Sequence, residues 1–376
     1  MHRVADQIVE ILEKAGVKRI YGIVGDSLNP VTDALRRRKT IEWIHVRHEE
    51  VAAFAASAEA QLSGNLAVCC GSSGPGNLHL INGLFDAHRN HAPVLAIASH
   101  IPQSQVGMEY FQATHPEQLF KECSAYAELV SEASQAPSIL MSAIQHAWAR
   151  RDVGVVVLPG DIADAPAEMK NLVHPPAYTR ENVVPEHESV SLLARMLDDH
   201  RRITFFCGAG CAGAEDRVVR LAHRLKAPIA YTWRGKDYFE HDNPLGIGMT
   251  GLLGWGDAYK AMHESDMLVL WGTDFPYFNF IPTKPEIVQI DRRGEVLGRR
   301  CRLDLGICGD VSVTAEALLN MVQEKTDSGH LDAALKRHAR DVKEMNAYME
   351  GNDKESPIRP EQLTTCLLYT SPSPRD

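Results

Sequence analysis

The sequence has no apolar run approaching the roughly 20 residues that a membrane-spanning helix requires, so no membrane-spanning helix is expected in these residues. It has no surplus of positive charge. Lys and Arg number 39 against 49 Asp and Glu, a net charge of −10, so nucleic acid is not an expected partner. Eight cysteines are present without the paired spacing of a zinc site. Cys69 and Cys70 are adjacent, and Cys207 and Cys211 flank a glycine turn, so reduced thiols are expected instead of disulfides or zinc. No secretory leader opens the chain; Val4, Ile8, Val9, Ile11 and Leu12 trace one face of a helix closed by Gly16. The cytoplasm is therefore the expected compartment. What is present is ordinary globular composition, 376 residues with 44% apolar and 23% charged, enough for roughly two to three domains.

The stretch from Ile44 to Ala60 organises the first half. Ile41 to Val46 alternates like a strand, Arg47-His48-Glu49-Glu50 interrupts it, and Val51 to Ala60 is an alanine-dense helix. Carboxylates in a first turn suit the positive helix terminus, so Glu49 and Glu50 could be surface charges matched to the dipole. Downstream, the buried-looking strand Leu66 to Cys70 runs into Gly71-Ser72-Ser73-Gly74-Pro75-Gly76-Asn77 and then a helical pattern. Strand, glycine turn and helix bring backbone N–H groups close to a ligand. Further strands are expected at Arg19 to Val24, Val94 to Ala98 and Val153 to Leu158, with a helix from Ser138 to Arg150. This alternation predicts an α/β fold with a parallel sheet covered on both faces. Ligands of such sheets bind beyond the carboxyl ends of strands, where Gly25, Glu49, Gly71 and Ser99 should cluster.

A second alternating unit follows a proline-rich stretch carrying Pro166, Pro175, Pro176 and Pro185. Ile203 to Cys207 leads into Gly208-Ala209-Gly210-Cys211-Ala212-Gly213, a G-x-G-x-x-G between strand and helix. The next strand ends in Trp233-Arg234-Gly235-Lys236 and not in the acid that reads an NAD ribose. A cation there suits a pyrophosphate, and Asp291 after a later strand suits a ribose or adenine contact. A solvated loop charge and a helix cap are the plainer readings of Arg234 and Asp291.

Arg47-His48-Glu49 before an alanine-rich helix, followed by Gly71 to Asn77, resembles the N-terminal domain of thiamine-diphosphate enzymes acting on 2-oxo acids. The blocks Gly25 to Asn29, Gly76 to Asp86, His88 to His91, Val157 to Asp161 and Gly248 to Leu252 look like the flavin-dependent pyruvate dehydrogenases (quinone) and pyruvate oxidases. The likeness runs from residue 1 to about 362. It implies two doubly wound parallel-sheet domains, 1–161 for the thiamine pyrimidine and 189–325 for FAD, joined by a linker at 162–188. Residues 326–362 would be a helix and linker toward a third, diphosphate-binding domain, and 363–376 match nothing in the family.

The resemblance implies that Glu49 hydrogen-bonds the cofactor's pyrimidine, with Glu50 structural. Gly25, Ser72, Gly74, Pro75 and Asn77 would line that pyrimidine, and His88, Phe111 and Gln112 would lie near the reacting centre. A lone helical His is also commonly an ordinary surface or core residue. In the middle domain it assigns FAD to Gly208, Ala209, Gly210, Arg234, Thr250, Gly251, Leu252, Leu253, Thr273, Asp274, Phe275, Pro276, Tyr277, Asp291 and Asp310; at Asp274 the relatives carry Gln. The Mg²⁺ ligands would belong to a segment with a Gly-Asp-Gly, which does not occur here, so no metal ligand is expected in this chain. The activity implied is conversion of pyruvate to acetate and CO₂ through thiamine diphosphate and FAD, with ubiquinone or another acceptor taking the electrons. A nonoxidative relative such as an acetolactate synthase, and an inactive FAD-binding fragment, are the rivals. The family further implies a homotetramer, formed by an enzyme that touches the inner membrane only through a C-terminal peptide absent from this sequence.

Overall fold

The computed structural model describes residues 2–167, 182–349 and 356–370. The chain divides into two compact units, 1–180 and 181–376. Pro175 and Pro176 of the expected linker, and the end of the expected tail at 371–376, lie outside the described residues.

The first unit carries strands β1 (Arg19–Gly22), β2 (Glu42–His45), β3 (Ala67–Gly71), β4 (Val94–His100), β5 (Tyr126–Leu129) and β6 (Val153–Pro159). Its helices are α1 (Val4–Lys14), α2 (Asn29–Arg38), α3 (Glu49–Ser63), α4 (Pro75–Arg89), α5 (Pro116–Leu119), α6 (Ala136–Arg150) and α7 (Gly160–Asp164). The strands form one sheet in the order β2-β1-β3-β4-β6-β5, parallel throughout. Every residue of β3, β4 and β6 is buried, the near-continuous apolar signature of strands covered on both faces. The direction of the connections reverses between β1 and β3, and the crevice at such a switch point is where a ligand of this architecture binds.

The alanine run of α3 is explained by what lies against it. Ala52, Ala53, Ala56 and Ala60 are fully buried, and a Cβ on Gly83 of α4 would stand 2.5 Å from the Ala53 Cβ and 2.8 Å from the Phe54 backbone nitrogen. Small side chains on both helices let their backbones approach, so the N-termini of α3 and α4 are brought side by side.

The second unit carries β7 (Ile203–Cys207), β8 (Ile229–Tyr231), β9 (Gly246–Met249), β10 (Trp255–Gly256), β11 (Met267–Trp271), β12 (Glu286–Asp291) and β13 (Leu305–Cys308). Its helices are α8 (His187–Asp199), α9 (Glu215–Leu225), α10 (Lys236–Phe239), α11 (Ala258–Glu264), α12 (Val311–Leu319), α13 (Gly329–Met349) and α14 (Pro360–Thr370). The sheet order is β10-β9-β8-β7-β11-β12-β13, with the direction reversing between β7 and β11.

Three features differ from the sequence expectation. The second sheet is not wholly parallel, because the two-residue β10 runs antiparallel to β9; Gly248 and Gly256 take positive φ of 92° and 77°, a backbone that only glycine adopts cheaply. The stretch expected as linker opens inside α7 and closes inside α8. The segment expected to lead away from the middle domain is docked on it: Leu331 and Ala334 of α13 are buried, and Arg337 makes a bidentate pair with Asp257 at 2.6 and 2.7 Å. Among the described residues, no helix is long and apolar enough to cross a membrane.

Candidate functional site

In the first unit the switch point is closed by contacts among loops that leave the carboxyl ends of the strands. Gly25 follows β1 and lies so close to the turn after β3 that a Cβ on it would meet the Ser72 Cβ at 2.6 Å. The Ser73 backbone N–H donates to Ser27 Oγ at 3.0 Å. Ser99 Oγ donates to the Ser27 carbonyl at 2.6 Å, and the fully buried Asn77 donates its amide to the Ser99 carbonyl at 2.7 Å. The expected cluster at the strand ends is therefore present. The Oδ1 of Asn77 is buried without a partner among the described residues.

Glu49 stands against this cluster. It is the first residue of α3, only 7% exposed, and His48 caps the helix by accepting the Glu50 N–H at 3.2 Å. One carboxylate oxygen, Oε2, lies 3.0 Å from Nδ1 of His79. The other, Oε1, faces Gly76, whose added Cβ would stand 3.2 Å from it and 2.9 Å from Ser72 Oγ. A buried carboxylate thus sits at a helix N-terminus with one oxygen held by His79 and the other facing Gly76. Glu50 is turned away and accepts the Asn82 side-chain amide on α4, a bridge between the two helices.

Ser72, Gly74, Pro75 and Asn77 fall in the glycine turn and the first residues of α4. Gln112 reaches the same turn: it accepts a hydrogen bond from Ser73 Oγ at 3.2 Å, and Gly74 would meet it at 2.7 Å if it had a Cβ. Phe111 is 67% exposed and tilts against Tyr110 at 5.0 Å.

His88 is not brought to the group. Its Nδ1 pairs with Asp152 at 2.7 Å, just before β6 begins. The reason is the direction of α4, which runs back from the carboxyl to the amino ends of the strands and carries His88 roughly 20 Å along its axis. The histidine the structure places at Glu49 is His79, which the sequence reading missed. The available signal was the helix period: with Pro75 opening α4, Gly76 and His79 are spaced i, i+3 and share a face.

His48, Glu49 and His79 each offer a potential ligand atom, all within 4.8 Å of one another. The two rings, however, stack at 4.2 Å with planes 27° apart, so a single ion cannot lie in both ring planes. His48 Nδ1 is also already occupied by the Glu50 N–H. The group is better built to hold a carboxylate in place than a metal.

In the second unit the expected residues follow six strand ends at one sheet edge: Gly208–Gly210 after β7, Arg234 after β8, Thr250–Leu253 after β9, Thr273–Tyr277 after β11, Asp291 at the end of β12 and Asp310 after β13. Some are committed to the fold. The Gly208 and Gly210 N–H groups donate to the Trp271 and Gly272 carbonyls, both at 2.9 Å, and Cβ atoms there would strike Thr273 and Gly272 at 2.6 and 2.7 Å. The glycine turn, Ala209 included, thus lets the β7 and β11 loops touch and does not aim its first amides at a phosphate. Asp274 pairs with Arg299 and Arg300 at 2.9 and 3.3 Å. Asp310 accepts the Val183 N–H at 2.6 Å, clasping the incoming chain.

Others differ in burial and pairing. Thr250 is buried and its Oγ1 has no partner among the described residues. Asp291 is 5% exposed, and burial holds its carboxyl above the usual range. Phe275 is buried against Phe206 and Tyr277, whereas Leu252, Leu253, Pro276 and Tyr277 are exposed.

Two family models match this chain. Residues 2–120 match the thiamine pyrophosphate enzyme N-terminal TPP binding domain, and residues 190–318 match the thiamine pyrophosphate enzyme central domain. The chain belongs to the thiamine pyrophosphate enzyme family. It is 56% identical over 343 residues to an uncharacterised 42.6 kDa protein of Pseudomonas amyloderamosa, covering 91% of this chain and 86% of that one. It is 32% identical to a putative thiamine pyrophosphate-containing protein of Bacillus subtilis, over 97% of this chain and 64% of the other. With a pyruvate oxidase of Lactiplantibacillus plantarum the identity is 31%, over 96% of this chain and 60% of that enzyme. The chain thus spans less than two thirds of the length of the latter two relatives. Within the family assignment, the glycine turn and Glu49 both fall in the matched N-terminal domain.

Proposed function

We propose that Glu49 receives the pyrimidine of thiamine diphosphate and that the chain serves a pyruvate:quinone oxidoreductase, converting pyruvate to acetate and CO₂ with electrons leaving through FAD to ubiquinone. The observation that carries the reading is the buried Glu49 carboxylate, held on one oxygen by His79 and open on the other toward Gly76. Thiamine diphosphate, when bound, supplies carbanion stabilisation for decarboxylating 2-oxo acids. Glu49 hydrogen-bonds a ring nitrogen, and its position in a water-poor crevice strengthens that bond. His79 is a positioning residue that keeps the carboxylate from swinging away. Gly74 and Gly76 let Gln112, Ser72 and Glu49 approach the turn closely, which shapes the surface offered to the ring.

The buried Asp291, whose Oδ1 accepts the Arg293 N–H at 3.0 Å, and the exposed Leu252, Leu253 and Tyr277 at neighbouring strand ends support a dinucleotide such as FAD in this reading. The Gly-Asp-Gly that the resemblance ties to Mg²⁺ does not occur in these residues, so this polypeptide supplies the pyrimidine and flavin parts of the site. In this reading the intact enzyme is a cytoplasmic homotetramer that docks at the inner membrane.

The test is pyruvate-dependent reduction of an artificial electron acceptor by an assembly that also carries a diphosphate-binding domain. Removing a preorganised catalytic hydrogen bond lowers the rate by about two to three orders of magnitude, which is expected for Glu49→Gln and not for Glu50→Gln. Equal, mild losses in both would sink the assignment. Pyruvate consumed with no reduction of the acceptor would move the reading to a nonoxidative enzyme such as an acetolactate synthase.

A further inference from the structure

β10 has little of its own to hold it. It lies at the edge of the second sheet and pairs through two residues, Trp255 with Met249 and Gly256 with Gly248, a ladder too short to be stable by itself. Residues 250–254 hang between those pairs. What lies over β10 is α13. Leu331, Ala334 and His338 are spaced i, i+3 and i+7 and share one face of that helix, with Leu331 and Ala334 buried. The His338 ring tilts against that of Trp255 at 5.1 Å, and a Cβ on Gly256 would stand 2.5 Å from His338 Nδ1. Arg337 beside it holds Asp257, the residue that follows β10 and caps α11.

His338 Nδ1 is buried with no hydrogen-bond partner among the described residues. A neutral imidazole satisfies this by carrying its one proton on Nε2, whereas the imidazolium carries a proton on both nitrogens. At Nδ1 the second proton would face the Gly256 backbone. The Ile247 carbonyl on that side already accepts the Asp257 N–H at 3.0 Å. Burial accordingly lowers the basicity of His338. Asp341 and Asp257 favour the charged ring, but Asp341 pairs with Arg340 and Asp257 with Arg337. β9 and β10 bring no ionisable side chain. On α11, Glu264 pairs with Arg337 and Lys260, and His263 is bonded to the Tyr259 carbonyl. Before α14, Arg359 lies over Tyr348, toward the far end of α13.

His330, about two turns earlier on α13, is different. Burial and Arg202 lower its basicity as well, but its Nε2 lies 2.9 Å from Thr204 Oγ1, whose own hydrogen can turn to the Ala261 carbonyl at 3.3 Å. A second ring proton has an acceptor there.

We propose that α13 is a pH-released brace: with His338 neutral it fixes the β9–β10 hairpin and the 250–254 loop, and protonation of His338 lifts the helix away and frees that loop. The undocked ring titrates near the ordinary value of about 6.5. Docking is therefore complete above about pH 7 and weakens as pH falls toward the lowered docked value, by at most about tenfold per pH unit for one proton. A dinucleotide resting on Leu252 and Leu253 would be released with the loop; only that consequence depends on the function proposed above.

Hydrogen exchange of the 376-residue chain tests the brace without any ligand. It is read as protection factors, which remove the intrinsic pH dependence of exchange, at about pH 7.5 and about pH 5.5, still above the ordinary carboxylate range. Amides 247–256 and 331–340 should lose protection together at the lower pH, while β7 and β11 keep theirs. His338→Leu keeps the branch at Cγ and cannot be protonated; it and His338→Asn, each checked for fold by circular dichroism, should show nearly the same protection at both pH values. His330→Gln should keep the response. Protection that does not change with pH in the parent would overturn the proposal, since the new proton would then have found an acceptor in place. A response that survives in both His338 variants, or that His330→Gln removes and they do not, would overturn it too. Flavin retained on desalting at the lower pH, while these amides are unprotected, would contradict the placement of FAD on Leu252 and Leu253 and leave the brace standing.

Discussion

Replacing Gly83 by Ala tests whether the site rests on the close approach of α3 and α4. An added Cβ would stand 2.5 Å from the Ala53 Cβ, 2.8 Å from the Phe54 nitrogen and 2.9 Å from the Glu50 carbonyl oxygen. Two of those three atoms are backbone, so no side-chain rotation relieves the clash and the helices must separate. Overpacking of this kind costs about 1–3 kcal/mol, and the backbone contacts put Gly83→Ala near the upper end, about 3 kcal/mol. Alanine's better helix propensity returns about 1 kcal/mol. The net loss is therefore about 2 kcal/mol, or roughly 4–8 °C in the melting temperature of a folding unit this size. Differential scanning calorimetry of the parent, Gly83→Ala and Leu62→Ala would measure it. Leu62 is 90% exposed and serves as the neutral control. A Gly83→Ala protein melting at or above the parent temperature would refute the reasoning, and with it the claim that small residues set the spacing of the two helix N-termini.

Arg337→Met should destabilise the second unit by about 3–5 kcal/mol, because it strands the Asp257 carboxylate, which is 3% exposed; denaturant unfolding measures it, the double variant with Asp257→Asn should recover most of the loss, and a loss below about 1 kcal/mol would contradict the bridge. Asp291 gives a pH signature: its folded pKa is raised by burial, so its favourable contribution is complete below the unfolded value and is lost as pH rises through the folded one. Asp291→Asn, which keeps an acceptor for the Arg293 N–H, should therefore leave the melting temperature unchanged near pH 3 and raise it at pH 7, and a pH-independent change would argue against this assignment. The 376-residue chain should take up FAD, seen as flavin absorbance after desalting, yet bind thiamine diphosphate with Mg²⁺ only weakly by calorimetry, since the diphosphate carries the charge that an oxygen-ligated Mg²⁺ must hold. Tight thiamine diphosphate binding, or acetate formed from pyruvate by this chain alone, would overturn the division of the site.

Five of the six strands of the first sheet, all but β5, were legible from their apolar pattern, as was the gathering of Gly25, Glu49, Gly71 and Ser99 at the strand ends; the order β2-β1-β3-β4-β6-β5 is a tertiary result that pattern alone does not give. The Ala run announced close packing, and Gly83 supplies the other half of that contact. His79 was not legible by composition: seventeen histidines are scattered through the chain, and only the phase of α4 separates His79 at Glu49 from His88 at Asp152. The glycine turn after β7 shows the opposite failure, since a G-x-G-x-x-G pattern does not reveal whether its amides are spent inside the fold. The antiparallel β10 escaped for a related reason; a two-residue strand between glycines carries no periodicity. Asp274 and Asp310 lie beyond the carboxyl ends of β11 and β13, but their partners, Arg299, Arg300 and Val183, are tertiary choices that local sequence does not encode.

The claim on which the account rests is that the Glu49 carboxylate recognises the thiamine pyrimidine. It is tested most directly by ¹⁵N–¹H spectra of the chain titrated with unphosphorylated thiamine, which carries the pyrimidine without the diphosphate. The account predicts saturable shifts at the amides of Glu49, Gly74 and Gly76 in the parent and in Glu50→Gln, and their loss in Glu49→Gln. The same shifts at the same thiamine concentration in Glu49→Gln would contradict it.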